Sequence, residues 1–455
     1  MNESVYSKYD EKKLADAFSF CEGYKKFLDN AKTEREAIIE TVKIAKEKGF
    51  KDINEIIKTG DKIKAGDKIY AVNMDKAIVL AVIGEDDLKN GLNIVASHID
   101  SPRLDLKANP LYEDSGICLL DTHYYGGIKK YQWTATPLAL HGVVVKKDGT
   151  KINLIYGENE EDGVLCISDL LPHLDKDERK EVVTGEELNL IAGTIPDKNK
   201  EKNKIKNNIL KILKEKGIEE NDLFSSEIEI VPSGKARDLG LDKSMILAYG
   251  QDDRVCAYPS IKALFNITNP KRTSICLLVD KEEIGSYGAT GMQSAFFENT
   301  VADLISLSNS NYSELNLRHC LKNSKVLSSD VTAGYDPNRP DKFNKNTEAF
   351  ITRGIAFCKY TGARGKSGSS DANPEYIAKL RKILDENGVN YQATEMGKID
   401  VGGGGTIAHF MAAYNLDVID AGVPVLSMHA PWEITAKVDV YETYLAYTSF
   451  YTFMD

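Results

Sequence analysis

The stretch TSICLLVDKEEIGSYG (273–288) sets two glutamates, Glu282 and Glu283, side by side where an apolar run ends. Neighbouring residues on a strand point to opposite faces, so a plain strand here would aim one carboxylate at the core. A buried, unpaired carboxylate is costly, so the chain needs a partner for it. It also needs a reason for two adjacent acids to do different work. Around this run, the strand candidates TSICLLVD, KVLSSD and FITRGIAFC alternate with helical segments such as RVCAYPSIKALF and PEYIAKLRKILDENG. That alternation predicts an α/β fold, a mixed sheet with helices on both faces.

The same texture precedes residue 105. LADAFSFCEGYKKFL and REAIIETVKIAKEKGF space their apolar residues three and four apart, as helices do. The short runs IYAVN, AIVLAVIG and NIVASHID follow as strands between Gly, Asp and Asn turns. From about 106 to 234 the sequence turns strand-rich (GICLLDTHYYG, LALHGVVVKKDG, TKINLIYG, SEIEIVP) with one basic helix. The predicted organisation is a discontinuous α/β domain, residues 1–105 and 235–455, interrupted by a β-rich insertion, 106–234.

Composition narrows the function. The 455 residues carry 58 Lys+Arg against 69 Asp+Glu, a net charge of −11. An acidic balance disfavours nucleic-acid and anionic-membrane partners. The basic helix KNKIKNNILKILKEKG (202–217) is amphipathic, with Ile205, Ile209, Ile212 and Leu213 on one face and no interleaved aromatics, so its lysines read as a solvated face. The longest clean apolar run, AIVLAVIG (77–84), is far short of a membrane span, and MNESVYSKYDEKK lacks a signal-peptide core. A cytoplasmic location is expected. Seven scattered cysteines without a CxxC pair predict buried thiols, not disulfides or a structural zinc site.

Acids and histidines at strand ends or Gly-rich turns fall in five places, where α/β sheets put their ligand sites. They are His98 and Asp100 in ASHIDSPRLD, Asp252 and Asp253 in YGQDDRV, Glu282 and Glu283, Asp330 in LSSDVTAG, and His429 in LSMHAPWE. Two apart, His98 and Asp100 share a strand face, which suits a carboxylate that orients a metal-binding imidazole. Two histidines with three or more carboxylates suit zinc, cobalt or manganese. A dinuclear site needs a bridging carboxylate and separate ligands for each ion, plus an unligated acid to take a proton from the attacking water. Glu282 and Glu283 fit that division, one acid on a metal and its neighbour facing the water.

The motifs SHIDSPRLDLK, YGQDDR, DKEEIGS, SSDVTAGYDPN, GGGGT and MHAPWE occur in the order found in the aspartyl aminopeptidase family, which this chain resembles over nearly its whole length. The resemblance implies a metallopeptidase domain interrupted by a dimerisation domain, two divalent metal ions and removal of an N-terminal residue, acidic in the family's preference, from peptides. It implies His98 and Asp330 on one metal, Glu283 and His429 on the other, and Asp252 bridging. Glu282 is then the general base and later acid, and Asp100 the orienter of His98. Relatives often have asparagine where Asp253 stands, which leaves it out of the ligand set.

The resemblance also makes His173, in ISDLLPHLDKD (167–177), a residue that enters a neighbouring subunit's active site, and it implies a homo-oligomer, in relatives a tetrahedral dodecamer. Gly405 and Thr406, in VGGGGTIAHF (401–410), become candidates for contact with the bound peptide. Lys366 and Arg364, in TGARGKSGSSDAN (361–373), are basic groups able to pair with a substrate carboxylate. Pro259 should kink the helix after Asp252 or shift its start. Two rival readings stay open: a related dinuclear deacylase or carboxypeptidase-type hydrolase, and a non-catalytic scaffold that keeps the fold.

Overall fold

The structure is a computed structural model and describes residues 3–171, 173–174, 183–308 and 312–455. It divides into two compact units. The first comprises Met1–Asp100, Ala236–Met428 and Glu433–Asp455, and the second Ser101–Lys235 with His429–Trp432.

The first unit is built on a nine-stranded mixed sheet. In chain order its strands are β1 (Lys51–Asp52), β2 (Lys68–Asn73), β3 (Ala77–Val82), β4 (Asn93–His98), β5 (Ser274–Val279), β6 (Lys325–Ser328), β7 (Ile355–Cys358), β8 (Tyr391–Thr394) and β9 (Asp417–Gly422). Across the sheet they lie in the order β1-β2-β3-β5-β4-β6-β9-β7-β8. The run β5-β4-β6-β9 is parallel throughout. The expected α/β architecture with a mixed sheet is therefore present.

Side-chain alternation builds one apolar layer on each face. Ile94, Ala96, Ile275, Leu277 and Val279 join one buried cluster. Val95, Cys276 and Leu278 join the other. Helices Phe296–Ser308 and Glu314–Asn323 supply the first cluster, and helices Glu11–Asn30, Gln251–Phe265, Pro374–Glu386 and Lys437–Phe453 the second. The N-terminal helices start on side-chain caps: Asp10 accepts from Lys13 N, and Thr33 and Glu36 form a capping box. All seven cysteines are free thiols. Among the described residues no helix is long and apolar enough to cross a membrane.

The chain leaves β4, returns as β5 on one side of it, and crosses to β6 on the other. Such a reversal opens a crevice at the carboxyl ends of the strands, and ligands bind there in open α/β sheets.

The second unit carries a six-stranded antiparallel sheet, ordered Lys151–Tyr156, Leu138–Val145, Ser226–Pro232, Arg103–Asp114, Ile117–Tyr125 and Leu190–Gly193. Helix Lys204–Glu215 lays Ile209, Ile212 and Leu213 over an apolar cavity of about 80 Å³ lined by sheet residues such as Leu120, Leu140 and Leu154. The apolar stripe faces inward, as its spacing predicts.

Candidate metal centre

His98 ends β4 and lies opposite Val279 of β5, so Glu282 and Glu283 follow just beyond it. On the other side β6 pairs Ser328 with Ala96, which brings Asp330, two residues on, level with His98. Asp252 arrives from the start of helix Gln251–Phe265. There Asp252 and Asp253 have non-helical backbone, and the peptide between them is cis. The break expected at Pro259 thus lies seven residues earlier; regular helix runs on through the proline. Glu433 holds the break in place, its carboxylate accepting from Asp252 N at 3.0 Å and its carbonyl from Gln251 Nε2 at 2.7 Å.

His98 Nε2 is 3.1 Å from Asp252 Oδ1 and 3.8 Å from Asp330 Oδ1. Ligand atoms of His98, Asp252 and Glu283 all lie within 4.8 Å of one another, and so do those of His98, Asp253 and Asp330. Among the described residues, Glu282 joins no such group. The two adjacent glutamates are thereby separated in place, Glu283 gathered with the ligand atoms and Glu282 outside both groups. The turn is held by Asp100, which is fully buried. Its Oδ1 accepts from Glu282 N at 3.1 Å and its Oδ2 from Glu283 N at 3.2 Å. His98 Nδ1 pairs with the Asp100 carbonyl at 3.0 Å and stands 3.3 Å from the same Oδ1, so Asp100 sets both the imidazole and the glutamate turn.

Electrostatics favour positive charge in the pocket. Burial alone would strip His98 of its proton, but Asp100, Asp252 and Asp330 outweigh it and raise its pKa well above the usual imidazole value. Burial, then Asp330, pushes the Asp253 carboxyl well up. Glu282 rises to about 8, from burial first, then Asp330, with Asp100 and Asp252 adding. Asp330 itself is raised, again mainly by burial. Among the described residues neither buried oxygen of Asp253 finds a nitrogen or oxygen donor. Buried acids that repel one another, with one imidazole between them, demand positive charge. The nitrogen and oxygen donor set fits a zinc, cobalt or manganese ion.

Two contributors escape a reading of residue types, and a third, Asp253, is a candidate that the family resemblance leaves out of the ligand set. Asp253 sits with His98 and Asp330, and its only sequence signal is the DD doublet. Glu433 ends the MHAPWE motif, yet nothing in its type says that it caps Asp252. Arg254, 1% exposed, donates to the carbonyls of Ile99 at 2.9 Å and Lys32 at 3.1 Å and so braces the SHID turn.

Among the described residues, the other expected residues join neither group on His98. His429 belongs to the second unit, where its Nδ1 is 3.0 Å from the Gly127 carbonyl. His173 is an exposed turn residue of that unit; Pro172 and residues 175–177 of its motif lie outside the described residues. In the first unit Gly405 is exposed, whereas Thr406 is buried and its hydroxyl donates to Asp420 Oδ1 at 2.6 Å. Lys366 pairs with Asp371 at 3.0 Å and lies over the Tyr360 ring.

Residues 27–451 match the family model for aminopeptidase I zinc metalloproteases (M18). The chain is 54% identical to a probable M18 family aminopeptidase 1 from Clostridium acetobutylicum, over 98% of this chain and 97% of the relative. A crystal structure of an M18 aminopeptidase from Thermotoga maritima superposes with a TM-score of 0.95 at 45% identity, covering 99% of each chain. A dodecameric mApe1 from S. cerevisiae shares the fold, at 20% identity and a TM-score of 0.77 over 94% of this chain and 95% of that one. With sequence and fold in agreement, this chain belongs to the M18 family of metallo-aminopeptidases.

Proposed function

We propose that the His98 cluster is the active centre of this aminopeptidase and that it holds two divalent cations, zinc in the first instance with cobalt or manganese able to replace it. His98 and Asp330 would serve one ion, Glu283 the other, and Asp252 both. The observation that carries this reading is the pair of ligand groups that share His98, one through Asp252 and Glu283 and one through Asp253 and Asp330. His429 is the further imidazole on the strength of its MHAPWE motif. The cations supply Lewis acidity, which makes water acidic enough to attack near neutral pH and polarises a carbonyl.

The chain's own groups do the rest. Glu282, raised to about 8 before any cation is counted and drawn down by positive charge nearby, takes the proton of the attacking water. It holds that proton on its carboxyl and hands it to the leaving amine. Asp100 keeps Glu282 in place through the backbone and keeps the His98 ring turned to the pocket. Gly405 offers exposed backbone to the extended peptide, with Thr406 anchoring that end of the loop. Lys366 already has Asp371, so a substrate carboxylate would have to displace it. An acidic N-terminal preference therefore rests on the family resemblance.

A homo-oligomer, as a dodecamer built from dimers, and a cytoplasmic location complete the proposal. The strand-rich second unit is the dimerisation domain. Exposed Leu170, Leu171 and Leu174 flank His173, apolar surface of the kind a neighbouring subunit covers, and His173 would act there on the oxyanion. The test is a panel of aminoacyl substrates with free and acetylated amines on metal-reconstituted protein. Free-amine substrates should be turned over and acetylated ones refused. Faster turnover of acylated amino acids would favour the deacylase reading, and no turnover of either would favour the scaffold.

A further inference from the structure

The loop that carries Glu282 leaves β5 at Asp280 and turns back beside it at Thr290, before helix Phe296–Ser308. It is irregular: Lys281, Gly285, Ser286 and Gly288 all have φ between 61° and 96°. Between its ends only a single turn, Glu282–Ile284, is regular. Three-residue turns and left-handed non-glycine residues are each weakly preferred, so such backbone leans on hydrogen bonds, among them Gln293 Nε2 to the Gly285 carbonyl at 3.0 Å and Asn73 Nδ2 to the Ala289 carbonyl at 2.7 Å. A base that must meet a proton at hydrogen-bond distance needs a firmer mounting.

The neck of the loop supplies one. Asp280, 1% exposed, accepts a hydrogen bond from the Thr290 hydroxyl at 2.6 Å, and its backbone N–H donates to the Thr290 carbonyl at 3.2 Å. Its other oxygen accepts from Lys281 N at 2.8 Å, fixing the first residue of the turn. The Lys281 and Lys76 ammonium groups stand 3.6 and 3.9 Å from the carboxylate and support its charge. Asp280 and Thr290 thus close the loop at its base, while Asp100 holds the amides of Glu282 and Glu283 further in.

We propose that Asp280 and Thr290 are positioning residues for the reaction: their side-chain hydrogen bond fixes the loop so that Glu282 faces the attacking water. The proposal rests on Glu282 being the base. Neither residue belongs to the clustered ligand groups, so the clamp should govern turnover and leave cation binding alone.

The experiment uses the full-length, metal-loaded enzyme and the variants Thr290→Val, Thr290→Ser and Asp280→Ala. Thr290→Val removes only the hydroxyl donor and should lower kcat about tenfold, with KM and bound metal unchanged. Thr290→Ser restores the donor and should return kcat to within about twofold of the parent. Asp280→Ala should fall further than Thr290→Val. In a Glu282→Gln background, Thr290→Val should cost nothing more, because the group it positions is gone. The proposal is overturned if Thr290→Val keeps full kcat, if Thr290→Ser is as slow as Thr290→Val, or if activity and bound metal fall together. Should Asp280→Ala fail to fold, the two Thr290 variants decide. Unimpaired Glu282→Gln would instead sink the reading of Glu282 as base, a result separable from the clamp.

Discussion

The carboxylates of Asp439 and Glu442, at the start of helix Lys437–Phe453, and those gathered round His98 are both buried, yet they keep different company. Asp439 accepts from Thr352 N at 2.6 Å and Gly354 N at 2.7 Å. Glu442 accepts from Asn390 N at 2.7 Å, from Asn390 Nδ2 at 3.0 Å, from the Tyr9 hydroxyl and from Lys13 at 3.1 Å. Each of these acids is surrounded by protein donors, so the pair ties the last helix to loops distant in the chain. Round His98 the chain has brought Asp252, Asp253 and Asp330 together, and among the described residues the buried Asp253 oxygens find no nitrogen or oxygen donor. Buried acids that find donors serve the scaffold; on the proposed function, the acids gathered round His98 take their compensating charge from a cation.

The strongest way to break that contrast is to remove acids from the His98 cluster one role at a time. Asp252→Ala should abolish both metal binding and activity. Glu282→Gln should retain metal and lower kcat by about a thousandfold, the scale of a lost general base. Metal analysis beside steady-state kinetics separates the two. Equal loss of metal in both variants would contradict the division of labour between Glu282 and its neighbours.

Stability should move in opposite directions in the two acid groups. Asp439→Ala leaves the buried Gly354 N–H and the half-buried Thr352 N–H unpaired and should destabilise the protein by about 3 kcal/mol, with or without metal. Asp330→Ala relieves repulsion, so the metal-free variant should unfold no earlier than the metal-free parent. Denaturant titrations of both, with chelator and with zinc, check this. For the parent, zinc at about 1,000 times its Kd should add about 4 kcal/mol, and Asp330→Ala should forfeit most of that.

The smallest effect concerns pH. Burial pushes the Asp420 carboxyl up to about 7 despite the Thr406 hydroxyl, with Asp330 adding to the rise. Its folded pKa therefore exceeds the unfolded value of about 3.9. The stability it contributes is complete below that unfolded value and is lost as pH rises through about 7. Asp420→Asn keeps an acceptor for Thr406 and should flatten the decline between pH 6 and 8 by about 1 kcal/mol. An unchanged slope would mean that Asp420 does not titrate in this range.

Much of this was legible in the residues themselves. Apolar runs ending in HID, DKEE and SSD mark strands of one sheet whose carboxyl ends meet, because side-chain period and strand–helix alternation are local properties. Adjacency points to different work for Glu282 and Glu283, and the family resemblance assigns which is ligand and which is base. What stayed hidden depends on backbone partners that residue type does not announce. Glu433 acts by capping Asp252 N, Arg254 by donating to two carbonyls, and Asp280 by closing a loop on Thr290. The helix break at Asp252 also overrode the sequence signal at Pro259, because it is set by distant Glu433 and not by the proline ring.

The central claim is that the chain folds distant acids and an imidazole into a cage for divalent cations. Anomalous scattering from crystals of zinc-loaded protein, collected on both sides of the zinc edge, tests it most directly. Strong anomalous density beside His98, within reach of Asp252, Glu283 and Asp330, is the expected result. Fully loaded, active protein whose anomalous density lies away from His98 would contradict the account.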